Sequence, residues 1–261
     1  MSNSRHPPAS AKDMELFKCI SVPRGSHKDL YVLQSLRMVM IHNVFIRGYN
    51  SILYYSAHVD PNNIKRVRSF IRYCELVNTI LHHHHGIEEG SYFPWLEERL
   101  GAGSMSENVG GHHSFEPAFK VFEELVTSIR DKGAPFVPDE FRTIIYAFMA
   151  PLVEHLKAEI ETLRPEKVKH IPEKDMRKME ADTEKLAKKA GSLMTSLQFV
   201  TVNGDFKYGR WFPPVPAPIR WICMNITYPF NSDLWAFGSC TKKRIKPEFA
   251  AYEPELEPER A

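Results

Sequence analysis

Residues Leu81 to Trp95 read LHHHHGIEEGSYFPW: four consecutive histidines one turn ahead of two glutamates and an aromatic patch. Whether this is a metal site or a row of solvent-facing imidazoles depends on which side chains face inward. At about 100° per residue, helix positions three, four and seven apart share a face. With His84 as reference, Val77, Ile80, Leu81, Glu88 and Trp95 fall within about 60° of it. His84 therefore lies on an apolar stripe, with Glu88 one turn further along. His85 and Glu89 lie at its flank, and His82 and His83 point away.

This stretch belongs to the second of four long helical patterns. Ser26 with Asp29 resembles a capping box ahead of an apolar-periodic run from Leu30 to His58. Asp60-Pro61 predicts the second start, and the pattern runs to about Leu100, where Gly-Ala-Gly stops it. Ser104 with Glu107 opens the third, which reaches Lys132 and ends at Gly133. Pro138-Asp139 opens the fourth, which reaches Arg164 before Pro165. Short connectors between long helices make neighbours antiparallel, so the predicted fold is all-α, an up-down four-helix bundle.

A fifth helix is expected at roughly Glu173 to Ala190, rich in Lys and Glu and therefore solvated. The stretch from Leu197 to Cys240 carries three of the four tryptophans. It has too many prolines for a helix and too many aromatics for disorder, which predicts an irregular strap packed on the bundle. The expected organisation is a flexible segment at 1–25 (with 1–12 disordered), a bundle at 26–165, and an extra helix with an aromatic, Pro-rich extension at 166–261. Its acidic C-terminus is expected to fray.

A hydrophobic share of 43% supplies a packed core, and a formal charge of +2 gives no pull toward nucleic acid or anionic lipid. No run of about 18 apolar residues occurs, so no membrane partner is expected. Cys19, Cys74, Cys223 and Cys240 form no CxxC pair. Free thiols and a polar N-terminus without an apolar leader core predict a cytoplasmic protein.

Repetition on the other helices raises the metal reading above that of a lone buried histidine. His42 falls in the stripe of Met38, Val39, Phe45, Ile46, Tyr49 and Leu53. His112 falls with Phe115, Glu116 and Phe119, and His155 with Phe148, Leu152 and Glu159. Three helices thus carry HxxxE on the apolar face and the remaining one a single histidine. Burying that many polar groups without partners would cost several kcal/mol each. Cations remove the cost, and seven ligands of this kind suit two metals rather than one. A His/carboxylate set without cysteine in a four-helix core suits iron or manganese.

The pattern resembles the hemerythrin-like family, the HHE cation-binding domain. The resemblance runs through HNVFIRGYNSI, the HHxxEExxYFPxL stretch from His84 to Leu96, GHHSFEPAF and HLKAEIETL, covering about Lys28 to Arg164. The segments NGDF, WFPP and DLWAF look like the extension of fungal members. The resemblance implies two iron ions, with manganese or a mixed centre as alternatives, held by His42, His84, Glu88, His112, His155 and Glu159. Glu88 and Glu159 would bridge the metals. Oxygen-carrying relatives have HxxxH in the third helix, where this chain has Glu116 as a seventh candidate ligand or an acceptor orienting a histidine. They also have His and Asp five apart in the fourth helix, where this chain has HxxxE. Pro117 is expected to kink the third helix there.

The expected function is therefore O2 activation by a di-iron oxidase or oxygenase acting on a small organic substrate, since more anionic ligation stabilises the oxidised metals. The alternatives are O2 or iron binding or sensing without an organic substrate, and peroxide or nitric oxide detoxification. Tyr49 and Tyr92 are candidates to donate a hydrogen bond or electron, against the plainer reading of packed core tyrosines. A monomer or homodimer is expected.

Overall fold

The computed structural model describes residues 15–190 and 192–259. The expected disorder of residues 1–12 lies outside them. Four long rods form the body: α1 (Leu30–Ser56), α2 (Ile64–Ile87) continuing into α3 (Phe93–Leu100), α4 (Ser106–Lys132) and α5 (Pro138–Thr162). Each packs on the next, and α5 closes the ring against α1. Among the described residues there are no strands, only isolated bridges such as Val22 to Leu256. No helix among them is long and apolar enough to cross a membrane.

Local chemistry sets the boundaries. The Asp29 carboxylate caps α1 by accepting from the backbone N–H groups of Tyr31 and Val32. Asn63, three residues beyond the expected Asp60, caps α2 by accepting from Arg66. Helix α4 starts at Ser106 with no side-chain cap, so the Ser104 box does not form. It ends on Gly133 at φ 66°, the left-handed conformation glycine adopts freely. The helix continues through Pro117.

One π-helical turn, Glu88–Tyr92, joins α2 to α3, with the Phe93 N–H donating to the Glu88 carbonyl. The wider turn delays the helix by about one residue. Leu96 consequently takes the inward position expected for Trp95, which lies under the Arg99 guanidinium instead.

Helix α1 is buried on nearly all sides because later elements cover its outer face. A short α6 (Pro165–Val168), then α7 (Glu173–Ala190) and α8 (Leu193–Asn203), all pack against it. Only Met176 and Met179 of α7 are buried, and its outer face carries the pairs Glu173–Arg177, Lys178–Asp182 and Glu184–Lys188. The strap after α7 is more helical than its prolines suggested. It contains α8, α9 (Ala217–Ile222), a π-helical turn at Cys223–Thr227, and α10 (Ser232–Trp235). Its prolines sit between or at the starts of these short helices, where no backbone donor is lost.

Residues 15–22, expected to be flexible, are pinned to α1. The Asn43 side chain accepts from the Ile20 N–H at 2.7 Å and donates to the Ile20 carbonyl at 2.9 Å. Asn50, two turns on, does the same for Phe17 at 2.8 and 2.7 Å. Between them Arg47 is buried, donates to the Gly204 carbonyl, and lies 3.5 Å from both the Asp205 and Glu253 carboxylates. The C-terminal chain closes over the N-terminal one through Cys19 to Tyr252 and Val22 to Glu255 backbone bonds.

Candidate metal centre

Two groups of metal-ligating side chains meet inside the bundle. One is His42, His84, Glu88 and Glu159; the other is His85, His112 and His155. The His42 Nε2 lies 3.1 Å from the His84 Nε2 and 3.1 Å from the Glu159 Oε2. The His84 Nε2 lies 3.1 Å from the Glu88 Oε1. In the second group, the His112 ring centroid is 4.2 Å from that of His85 and 4.4 Å from that of His155.

The two glutamates link the groups. Glu88 turns Oε1 toward His84 and Oε2 toward His112, the latter at 3.7 Å. Glu159 turns Oε2 toward His42 and Oε1 toward His155 and His112, at 3.5 and 3.8 Å. Each carboxylate therefore presents one oxygen to each group, the disposition that bridging two cations requires.

Hydrogen bonds fix the imidazoles from behind. The His42 Nδ1 donates to the Leu156 carbonyl at 2.9 Å, since a carbonyl only accepts. This leaves the His42 Nε2 lone pair aimed into the centre. The His112 Nδ1 contacts a carboxylate oxygen of Glu89, which frees its Nε2 in the same way. Helix α5 thus supplies His155 and Glu159 and also orients the ligand of α1.

The donor set fits metal ions. Both oxygens of Glu88 and Glu159, both ring nitrogens of His155, and the Nε2 atoms of His85 and His112 are buried with no hydrogen-bond partner. Each such atom costs about 1–3 kcal/mol unless something else satisfies it. Burial, reinforced by the surrounding imidazoles, holds His84 and His85 well below the usual histidine range and His155 down to about 2. Burial and the nearby Glu159 and Glu89 push the Glu88 carboxyl well up. Imidazoles and carboxylates buried without partners are the nitrogen and oxygen donors that transition metals take.

Of the seven residues singled out by sequence, six converge: His42, His84, Glu88, His112, His155 and Glu159. Glu116 does not. It is exposed on α4, beside the equally exposed His113 at 3.4 Å. The buried positions of α4 are Asn108, His112, Phe115, Phe119, Phe122, Val126 and Ile129. At about 100° per residue their stripe is centred to the Phe115 side of His112, which leaves Glu116 roughly 80° off it. His85 takes the place that Glu116 vacates. The buried stripe of α2, through Phe70, Cys74, Val77 and Leu81, is centred between His84 and His85. Centring on the apolar residues, instead of on His84, would have admitted both histidines. His82 points out to Glu123, as expected.

The tyrosines are core residues. The Tyr49 hydroxyl donates to the Asn78 side chain at 3.0 Å, and its ring packs against Phe119 and Phe148. Tyr92 is buried near Glu88, and burial pushes its hydroxyl pKa up.

The family model of the Hemerythrin HHE cation binding domain matches residues 37–166, from within α1 into α6. No curated protein and no solved structure matches the chain.

Proposed function

We propose that this chain, which contains a hemerythrin-like HHE cation-binding domain, uses it to hold two iron ions and to bind O2 there, as an O2- or iron-binding or sensing protein. The observation that carries the reading is the pair Glu88 and Glu159, each sharing its two oxygens between the two histidine groups. Iron held at such a site supplies Lewis-acid centres that exchange electrons with O2.

The chain's own residues define what surrounds that chemistry. His42, His84, Glu88 and Glu159 would hold one ion, and His85, His112 and His155 the other, with the carboxylates shared. The Leu156 carbonyl and the Glu89 carboxylate engage the Nδ1 atoms of His42 and His112, which turns their Nε2 atoms to the centre. Phe45, Phe93 and Phe115 pack against the ligand rings and exclude water from them.

The expectation of an oxidase rested on a carboxylate surplus supplied by Glu116. With Glu116 on the surface and His85 inside, the set becomes five imidazoles and two carboxylates. Fewer anionic ligands stabilise the reduced pair of ions and favour returning O2 over consuming it. The test is anaerobic loading with ferrous iron, then admission of O2 with an oxygen electrode. O2 taken up in proportion to iron and recovered under vacuum supports binding. Irreversible consumption would overturn it in favour of an oxidase.

A further inference from the structure

The net charge of +2 conceals a strong local asymmetry. Between residues 207 and 246 stand seven lysines and arginines and one acid, Asp233. That acid is already engaged by Ser69 and Arg72. Lys246 turns inward to the Tyr55 hydroxyl and the Ala236 carbonyl, and Lys207 covers the Tyr208 ring. The other five are Arg210, Arg220, Lys242, Lys243 and Arg244. Arg210, Arg220 and Lys242 donate to the backbone carbonyls of Phe206, Pro213 and Met224, and among the described residues no ion pair joins any of the five to a carboxylate.

Four of these cations converge. Arg210, Arg220, Lys242 and Lys243 line one open cavity of about 490 Å³, together with Phe206 and Phe212. The only acid on its wall is Asp205. Its carboxylate is buried, accepts from the backbone N–H groups of residues 207 to 209, and faces Arg47. The cavity's field is therefore positive, with four cations against one carboxylate that is already engaged elsewhere.

Beside it lies the most exposed apolar surface of the described residues. Helix α9 and the turns after it carry Ile219, Ile222, Ile226 and Phe230 at spacings of three, four and four, with Trp221 among them. Phe230 is 80% and Trp221 60% exposed. Neither α9 nor the 3-10 turn Tyr228–Asn231 buries a single residue. The cavity wall and this segment are continuous through Arg220 and Met224, and Lys242 donates to the Met224 carbonyl.

We propose that the cavity and the segment 217–230 form a docking surface for an anionic phospholipid membrane. The cations would receive lipid headgroups, and the isoleucines, Trp221 and Phe230 would enter the headgroup–acyl boundary. Short amphipathic elements with exposed aromatics and adjacent basic residues bind interfaces in this way. Nucleic acid, the other large polyanion, would stack bases on Trp221 and Phe230 but gains nothing from the three exposed isoleucines between and beside them. The contact is peripheral and needs no spanning helix. It is also independent of the metal centre, being built entirely from residues beyond 166.

The test is sedimentation of the full chain with vesicles of phosphatidylcholine alone and of phosphatidylcholine mixed with phosphatidylserine. Binding is expected only to the mixed vesicles, with a shift of tryptophan emission to shorter wavelength that Trp221→Phe removes. Two surface variants separate the contributions: Lys243→Glu with Arg244→Glu, and Ile226→Ser with Phe230→Ser. Each is expected to weaken binding about tenfold or more while leaving metal content and helicity unchanged. Absence of binding, equal binding to both vesicle types, or a concentration-dependent dimer abolished by Phe230→Ser without any lipid effect would overturn the proposal.

Discussion

Gly111 of α4 and His155 of α5 stand so close that a Cβ on the glycine would overlap the imidazole Nδ1. The absent side chain is what lets His155 lie between the two helices and turn Nε2 toward Glu159. Gly111→Ala is expected to displace the ring, to cost about 1–3 kcal/mol by overpacking, and to lower the bound iron from two ions toward one. Metal analysis of the purified variant checks this, and full loading would show that the ring has another resting place.

The ligand set makes a contrast within one short stretch. His84→Ala and His85→Ala should each remove at least one ion, while His82→Ala and Glu116→Ala should retain both. Side-by-side iron stoichiometry decides it. A Glu116 variant that lost metal, or a His85 variant that kept it all, would return the centre to the composition expected from sequence.

Acid should unfold the metal-free protein early. His84, His85 and His155 are held below their ordinary 6.5 in the folded chain. Unfolding releases them to take up protons, so their contribution is present above about pH 6.5 and is lost as the pH falls. Glu88 is pushed up, so its contribution runs the other way: present below about 4.5 and lost as the pH rises through its folded value. Three histidines outweigh one glutamate, and urea midpoints of the metal-free chain should drop steadily from pH 6.5 toward 4.5. A flat profile over that window would contradict the neutral imidazole cluster.

Asn43→Ala should destabilise without touching the centre. It leaves the buried N–H and carbonyl of Ile20 unpaired, a loss of about 2–3 kcal/mol. The denaturation midpoint should fall while iron content at full occupancy stays at two. Loss of metal in step with stability would mean that the clamp also positions His42, one residue away.

The bundle was legible because its signals are local. Gly133, Pro138 and the 3.6-residue apolar rhythm act within a turn or two of themselves. The centre was legible as far as the rhythm was phased correctly. Phase taken from one histidine puts Glu116 inside and His85 at the flank, whereas the apolar neighbours set the true inward direction. The turn at Glu88–Tyr92 left no trace in composition, and the shift from Trp95 to Leu96 follows from that turn alone. The clamp on residues 17 and 20 pairs side chains with backbone 23 to 33 positions away, a relation no periodicity encodes.

Helix α1 is wrapped on nearly every side, while α4 shows solvent one whole flank. Amides near His42 should therefore be among the last to exchange with deuterium, and those near His112 among the first in the bundle to do so. Ions held by the two groups of ligands would then differ in lifetime. A chelator would strip the His85–His112–His155 side first and leave a chain holding a single ion, so half-loaded protein would accumulate as a discrete species along the path to the metal-free form.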